Sequence, residues 1–187
     1  MQYKNFDILA PRLLEQSFNE AEMTGAAIWL WMHSEVHHNF PLHVLDVLLF
    51  PAIRTGQFVL AVESGKPVFY LSWAMFSEEA EERYILHSPH MMRNEDWQSG
   101  DRIWFLDWVA PFGGTREMRN LMSLLFRTRY VRYLHHRGTE RNMRIMEAKG
   151  ADVTKQEASA WFSANPAMTP EYVAARQLAV PTLSKIN

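Results

Sequence analysis

The sequence predicts a single α+β domain, with a largely antiparallel sheet flanked by helices. Two observations support this fold class. The spacing of apolar residues changes along the chain from a helical to an alternating period, and the segments run helices, hairpin, central strand, helix, hairpin, helix. The 187 residues, of which 48% are hydrophobic and 21% charged, suffice to bury one core. Two full-sized domains are not expected from this length.

The first quarter of the chain is predicted to be helical. Apolar residues recur near every 3.6 positions over residues 7–23, and Gly25 is the expected end of this helix. The next stretch, residues 26–32, is apolar on all sides, which predicts a helix buried in the core. After a polar stretch rich in histidine, residues 42–53 resume a helical pattern that Pro51 bends or ends.

Beyond these helices the apolar period becomes that of strands. Two β-rich runs, residues 58–62 and 67–73, flank a turn that contains glycine and predict a hairpin. Residues 103–109 form a nearly continuous apolar run, which is typical of a central strand covered on both faces. A second hairpin is predicted from residues 130–134 and 143–147.

Four further helices complete the prediction. The acidic run within residues 78–82 starts a short helix, and we expect its carboxylates to be solvated. Residues 115–125 form the next helix, with the first residue as N-cap. Helices over residues 154–163 and 170–178 follow, and the tail beyond Pro181 is expected to be loose.

Composition and missing motifs exclude several classes of protein. The chain has no cysteine, which excludes a disulfide framework, a cysteine nucleophile and a thiolate zinc site. No H-E-x-x-H spacing occurs, so no metal site is expected, and no G-x-S-x-G elbow or P-loop sequence is present. The uncharged stretch at residues 23–34 is too short for a membrane span of about 20 residues. We therefore expect a cytoplasmic protein without a membrane span or a secretory signal.

A basic segment stands out in a chain whose net charge is only -2. Residues 116–149 carry nine cations against three anions, an excess of six positive charges. Such a segment favours an acidic partner, either nucleic acid or a small acidic carrier protein, although a solvated helix and hairpin would carry the same charges. No recognisable nucleic-acid-binding module is present, which makes nucleic acid the last alternative. The candidate substrate-binding cations are Arg127, Arg129, Arg132 and Arg137.

Two residues are candidates for catalysis. Asp107 interrupts the central apolar run, where a carboxylate is costly unless it is paired or hydrogen-bonded. His37 follows the buried helix, and an imidazole exchanges its proton near neutral pH, as a general base must. Each residue also has a purely structural interpretation, with Asp107 pointing outward or capping backbone and His37 as an ordinary loop histidine. Because 70 positions separate them, spacing alone does not show that they meet.

Five sequence blocks, in order along the chain, carry a resemblance to a known family. They are WLWMHSEVHHNFP at residues 29–41, PAIR at 51–54, SWA at 72–74, DWQSGDR at 96–102 and WFLDWVAPFG at 104–113. Together these blocks resemble the toxin-activating lysine acyltransferases, the hemolysin C-like family that matures RTX toxins. Several long blocks in order are far more specific than one short motif.

The resemblance implies a fold similar to the GCN5-related N-acetyltransferases and a homodimer. The expected organisation is an N-terminal helix extension at residues 1–25, an acyltransferase domain at 26–165, and a C-terminal helix with a loose tail at 166–187. Two positions depart from the family pattern. His38 stands where the family commonly has Arg, and Leu48 where it often has Asn.

The resemblance also implies an activity, namely transfer of a fatty acyl group from acyl carrier protein to internal lysine ε-amines of an RTX protoxin in the bacterial cytoplasm. The family's essential histidine and aspartate fall on His37 and Asp107. Only about 0.1% of an ε-amine of pKa near 10.4 is unprotonated at physiological pH, so attack on a thioester requires a base. We expect His37 to remove this proton, or alternatively to accept the acyl group transiently, while Asp107 orients the imidazole. No bound cofactor is expected beside the acyl donor.

Two other functions fit the same residues. One is an N-acyltransferase of the same fold that acts on a different amine. The other is a non-catalytic module that binds acyl carrier protein through the basic segment. Replacement of His37 by alanine separates catalysis from binding.

Overall fold

Seven strands form one sheet in the order β1 to β7 in the computed structural model, which describes residues 1–87, 91–135 and 144–179. Neighbouring strands are antiparallel except for β5 and β6, which are parallel. The strands are β1 (Gln2–Tyr3), β2 (Phe6–Leu9), β3 (Phe58–Glu63), β4 (Lys66–Phe76), β5 (Arg102–Val109), β6 (Tyr130–His135) and β7 (Arg144–Lys149). The predicted α+β fold with a mixed, largely antiparallel sheet is confirmed, and it agrees with a fold similar to the GCN5-related N-acetyltransferases.

Helices cover both faces of this sheet. Those of the described residues are α1 (Pro11–Leu14), α2 (Glu20–Met32), α3 (Leu45–Leu48), α4 (Phe50–Arg54), α5 (Glu78–Leu86), α6 (Thr115–Leu125), α7 (Lys155–Ala164) and α8 (Pro170–Ala179). Leu71 of β4 shares a buried cluster with Leu121 of α6 on one face, and Tyr70 shares another with Leu30 of α2 on the opposite face. The sheet is therefore covered on both sides, as the apolar run of β5 predicts.

The first predicted helix is wrong, and so is the helical extension assigned to residues 1–25. Phe6 and Ile8 are buried while Asp7 between them is exposed, which is the alternation of a strand. Strand β2 pairs antiparallel with β3 and thereby joins the main sheet. The long helix α2 begins only after Asn19, whose side chain accepts a hydrogen bond from a backbone N–H of the first turn. Gly25 lies inside α2 instead of ending a helix.

Three smaller expectations are also corrected. Residues 42–53 form a short 3₁₀ turn followed by α3 and α4, with Pro51 in the first turn of α4, where its missing N–H costs nothing. The N-cap of α6 is Gly114 at φ 78°, a left-handed conformation that suits glycine, and not Thr115. Glu81 of α5 is completely buried, against the expectation of a solvated acidic run.

The other predicted elements lie where the sequence places them. Both hairpins, the central strand β5 and the helices α5 to α8 match their predicted ranges to within a few residues. The tail beyond Pro181 lies outside the described residues. Across the described ranges, no helix combines the length and the apolar character that crossing a bilayer requires.

A β-bulge in β5 determines which residues face α2. Ser72 lies opposite Asp107 while the next residue of β4 lies opposite Phe105, so Leu106 has no partner in the register. Such an extra residue reverses the alternation of the strand. Phe105 therefore packs toward α6, whereas Asp107 and Val109 lie on the α2 face.

Candidate active site

His37 and Asp107 lie side by side. The two side chains meet with 3.3 Å between His37 Nε2 and Asp107 Oδ1, and they are 10% and 15% exposed respectively. His37 comes from the loop that follows α2, and Asp107 comes from β5 just beyond the bulge. The fold thus brings together two residues that 70 sequence positions separate.

The imidazole of His37 is held on several sides. Ser34 Oγ lies 2.8 Å from His37 Nδ1, and the backbone N–H of His37 donates to the carbonyl of Ser34. The ring stacks on Trp31 of α2 with 4.9 Å between centroids, and it meets Phe40 edge-on at 5.2 Å. These contacts leave the ring little freedom to rotate.

The hydrogen-bond partners define the tautomer of a neutral His37. An ionised Asp107 only accepts, so the hydrogen must be on His37 Nε2. Nδ1 then carries the lone pair, and the hydroxyl of Ser34 donates to it. Ser34 is not among the predicted site residues, although a hydroxyl three residues before a loop histidine is the available signal. Serine, histidine and aspartate are linked here in the order of a catalytic triad.

Asp107 has one satisfied and one unsatisfied carboxylate oxygen. Its backbone N–H donates to Ser72 Oγ at 3.2 Å, and Oδ1 faces His37. Oδ2 is buried and has no hydrogen-bond partner among the described residues, and the same holds for the hydroxyl of Tyr70. Burial raises the pKa of Tyr70 well above its usual range, and the negative charge of Asp107 raises it further.

A large cavity borders Asp107. Its volume is about 800 Å³, within the range of about 300–1,000 Å³ that is common for ligand-binding clefts. It lies between β5 and β6, beyond the short stretch where these parallel strands pair, and α6 and β7 complete its wall. The lining is mostly apolar and includes Phe105, Trp108, Met122, Phe126, Tyr133 and Met146. This cavity suits a long apolar ligand, and Asp107 is one of its lining residues.

The candidate substrate-binding cations have different surroundings. Arg127 is exposed and pairs with Asp152, with 3.2 Å between Arg127 Nη2 and Asp152 Oδ1. Its guanidinium lowers the pKa of Asp152, whose carboxylate in turn raises the pKa of Arg127. Arg129 is exposed, and Arg137 lies outside the described residues. Arg127 and Arg129 are therefore placed where a partner can reach them.

The prediction that Arg132 binds a substrate or partner is wrong, because this side chain is buried. Its side chain is only 1% exposed, with Nη1 at 3.1 Å from Glu81 and Nε at 3.4 Å from Glu147. The guanidinium also lies over the rings of Trp161 and Phe162 of α7. A group enclosed in this way is out of reach of a partner protein, so Arg132 belongs to the core.

Metal ligation finds no support in the described part of the chain. There, no group of three or more His, Asp or Glu side chains is arranged to hold a metal ion. The chemistry that this site offers is that of a base, its orienting carboxylate and a neighbouring hydroxyl.

Known proteins of one family resemble this chain. The sequence profile of the RTX toxin acyltransferase family matches residues 16–149. The chain is similar to the protein-lysine myristoyltransferase RtxC of Kingella kingae, at 40% identity over 138 residues, which are 74% of this chain and 82% of the relative. It is 37% identical over 145 residues to the leukotoxin-activating lysine-acyltransferase LtxC of Aggregatibacter actinomycetemcomitans, covering 77% and 85% of the two chains.

A third relative is the protein-lysine myristoyltransferase HlyC of Escherichia coli, which is 36% identical over 141 residues, 75% of this chain and 82% of the relative. The matched residues include both the loop of His37 and the strand of Asp107. The resemblance noted from the sequence blocks is thereby confirmed. The chain belongs to the RTX toxin acyltransferase family and is an acyltransferase.

Proposed function

We propose that this protein transfers a fatty acyl group from acyl carrier protein to lysine ε-amines of an RTX protoxin, with His37 as general base and Asp107 as its orienting carboxylate. The observation that carries the proposal is the 3.3 Å contact between His37 Nε2 and Asp107 Oδ1 at the edge of an apolar cavity. Membership of the family supports the reaction class and the lysine acceptor.

The chemical step follows from the tautomer of His37. Asp107 holds the hydrogen on Nε2, so Nδ1 takes a proton from the nitrogen of the neutral amine as it attacks, directly or through the hydroxyl of Ser34. The amine nitrogen forms a bond to the thioester carbonyl carbon, and the carbon–sulfur bond breaks. The imidazolium returns its proton to the departing thiolate, while the charge of Asp107 stabilises the imidazolium in between.

A second route begins with His37 as nucleophile. Nδ1 attacks the thioester carbonyl carbon and the carbon–sulfur bond breaks, which gives an acyl-imidazolium and a thiolate. The neutral lysine amine then displaces the imidazole, and the proton that the amine nitrogen loses goes to the thiolate. Both routes need the same tautomer, and therefore the same contact with Asp107. Rapid acid quench with donor alone separates them, because only the second route leaves an acyl group on the protein.

The acyl donor fits the structure in two respects. The apolar cavity beside Asp107 is suited to burying a fatty acyl chain, which releases water from apolar surface. Exposed Arg127 and Arg129 belong to the basic segment, which would attract an acidic carrier protein before the acyl chain enters the cavity. We place this reaction in the bacterial cytoplasm and assign no bound cofactor to it.

The test measures discharge of a long-chain acyl carrier protein and acylation of a lysine acceptor, with acyl-coenzyme A as the alternative donor. His37→Ala and Asp107→Asn are expected to lower kcat by about 10²- to 10⁴-fold, the range that general-base catalysis contributes. His87→Ala, which removes an exposed histidine at the end of α5, is the matched control and should keep wild-type activity.

Three outcomes of this test would redirect the proposal. Undiminished turnover in His37→Ala contradicts the mechanism. Donor binding without discharge by the wild-type protein favours a module that only binds acyl carrier protein. Discharge to small amines but never to protein lysines favours an N-acyltransferase with a different amine acceptor.

We also propose that two copies of the chain associate. Large apolar side chains are exposed on and after the end of α2, namely Met32, Val36 and Leu42. Such side chains in one region favour burial against another protein surface. Light scattering of the purified protein measures the mass, and a monomer at every concentration would contradict this assignment.

A further inference from the structure

Tyr70 lies diagonally across the sheet from Asp107. In the register of β4 and β5, Tyr70 is opposite Val109, and Ser72 is opposite Asp107. Residues two apart on a strand share a face, so Tyr70 and Asp107 are diagonal neighbours on the α2 side of the sheet. Diagonal partners are about 7–8 Å apart at their Cα atoms, a separation that an aromatic side chain can bridge.

The ring of Tyr70 packs against its neighbours, but its hydroxyl has no role in that packing. The ring stacks against Phe58 with 6.2 Å between centroids, and its cluster includes Leu30 and Val109. A phenylalanine would fill this place equally well and would bury no polar group. A hydroxyl buried without a partner costs about 1–3 kcal/mol. The hydroxyl of Tyr70 therefore requires a reason other than packing.

The unpaired atoms of Tyr70 and Asp107 are complementary. The phenol of Tyr70 is a donor, Oδ2 of Asp107 is an acceptor, and both are buried without a partner among the described residues. Burial raises the pKa of Tyr70 well above its usual range, as does the charge of Asp107. The phenol consequently keeps its hydrogen at every working pH. Among the described residues, Tyr84 of α5 is the other tyrosine whose pKa is raised by burial and by the charge of Asp107.

We infer that Tyr70 is a positioning residue, whose hydroxyl donates to Asp107 Oδ2 through one bound water or after a small shift of the side chain. This hydrogen bond fixes the carboxylate so that Oδ1 keeps facing Nε2–H of His37. The inference rests on the proposed role of the His37 and Asp107 pair. It adds a fourth group to the chain of contacts that begins at Ser34.

Tyr70→Phe tests this role, because it keeps the ring and removes only the hydroxyl. We expect kcat to fall about tenfold with an unchanged KM for the lysine acceptor, the effect of one hydrogen bond that orients the base. The pH–rate profile should differ from that of the wild type as well, because the carboxylate that orients the base loses a hydrogen-bond donor. The melting temperature should fall by about 2–4 °C, the effect of losing one hydrogen bond of about 1 kcal/mol.

The control is Tyr130→Phe, which removes the hydroxyl of a tyrosine that is stacked on Trp161 and is not among the residues that line the cavity. It should leave kcat and the pH profile unchanged. A Tyr70→Phe variant with the kcat and pH profile of the wild type would overturn the inference, and so would a variant that changes only in melting temperature.

A second readout needs no substrate. In ¹⁵N-labelled protein, the imidazole signals of His37 report the population of the Nε2–H tautomer. We expect Tyr70→Phe to lower that population in the same direction as Asp107→Asn, and no change would overturn the inference. Absence of acyl transfer by the wild-type protein would count against the proposed function, while this spectrum would still decide the role of Tyr70.

Discussion

Replacement of Arg132 by methionine should destabilise the protein without affecting partner binding directly. The guanidinium is almost completely buried and donates to Glu81, whose carboxylate is completely buried as well. Removing one member of a buried ion pair costs about 3–5 kcal/mol, because the other charge is left without compensation. Arg102 and the indole N–H of Trp104 still donate to Glu81, at 2.6 and 2.7 Å, which places the expected loss near 3 kcal/mol.

A loss of about 3 kcal/mol corresponds to a fall of about 6–12 °C in melting temperature for a protein of this size. Urea denaturation followed by tryptophan fluorescence measures the free energy of unfolding directly. Arg129→Met is the matched control, because Arg129 is exposed and its replacement should change stability by less than about 0.5 kcal/mol. An Arg132→Met variant as stable as the wild type but weakened in binding acyl carrier protein would refute the reasoning and restore Arg132 as a partner-binding residue.

Three other substitutions test separate features of the structure. Ser34→Ala removes the hydroxyl at Nδ1 of His37 and should lower kcat about tenfold in the acyl-transfer assay, and an unchanged kcat would show that the hydroxyl takes no part. Gly150→Ala introduces a Cβ that overlaps a backbone carbonyl oxygen, so we expect loss of soluble folded protein or a melting temperature lowered by more than 5 °C, roughly the effect of 2 kcal/mol. Burial opposes the charge of Asp96, but its pairing with Arg83 outweighs this and lowers the pKa of Asp96. The charged Asp96 therefore stabilises the fold above pH about 4, and this contribution is lost as the pH falls. Below that pH the free energies of unfolding of the wild type and of Asp96→Asn should converge. A difference that stays constant with pH would contradict the pairing.

The sequence points to the proposed pair of His37 and Asp107 only through its resemblance to a family. Alternation along β5 would place Asp107 on the same face as Phe105, on the side of α6 and away from His37. The unpaired Leu106 reverses that alternation, and nothing in the residue pattern marks the bulge. The contact between His37 and Asp107 therefore depends on backbone geometry that apolar periodicity does not encode.

The N-terminal segment shows why the first helix could not be predicted. Ile8, Leu9 and Leu13 fit a helical spacing, but Phe6 and Ile8 also fit the two-residue period of a strand. Pairing with β3, which is far away in the sequence, decides between them. The burial of Glu81 likewise depends on Arg102 and Arg132 of distant strands.

The bulge at Leu106 makes the relative length of two neighbouring strands part of the site's geometry. Leu106 is one residue more than β4 has between Ser72 and Trp73. Insertion of one residue between Ser72 and Trp73 would give Leu106 a partner, and regular alternation from Phe105 would then turn Asp107 toward α6 and away from His37. The side chain at position 106 can therefore change with local effects on packing, whereas the count of residues on the opposite strand cannot.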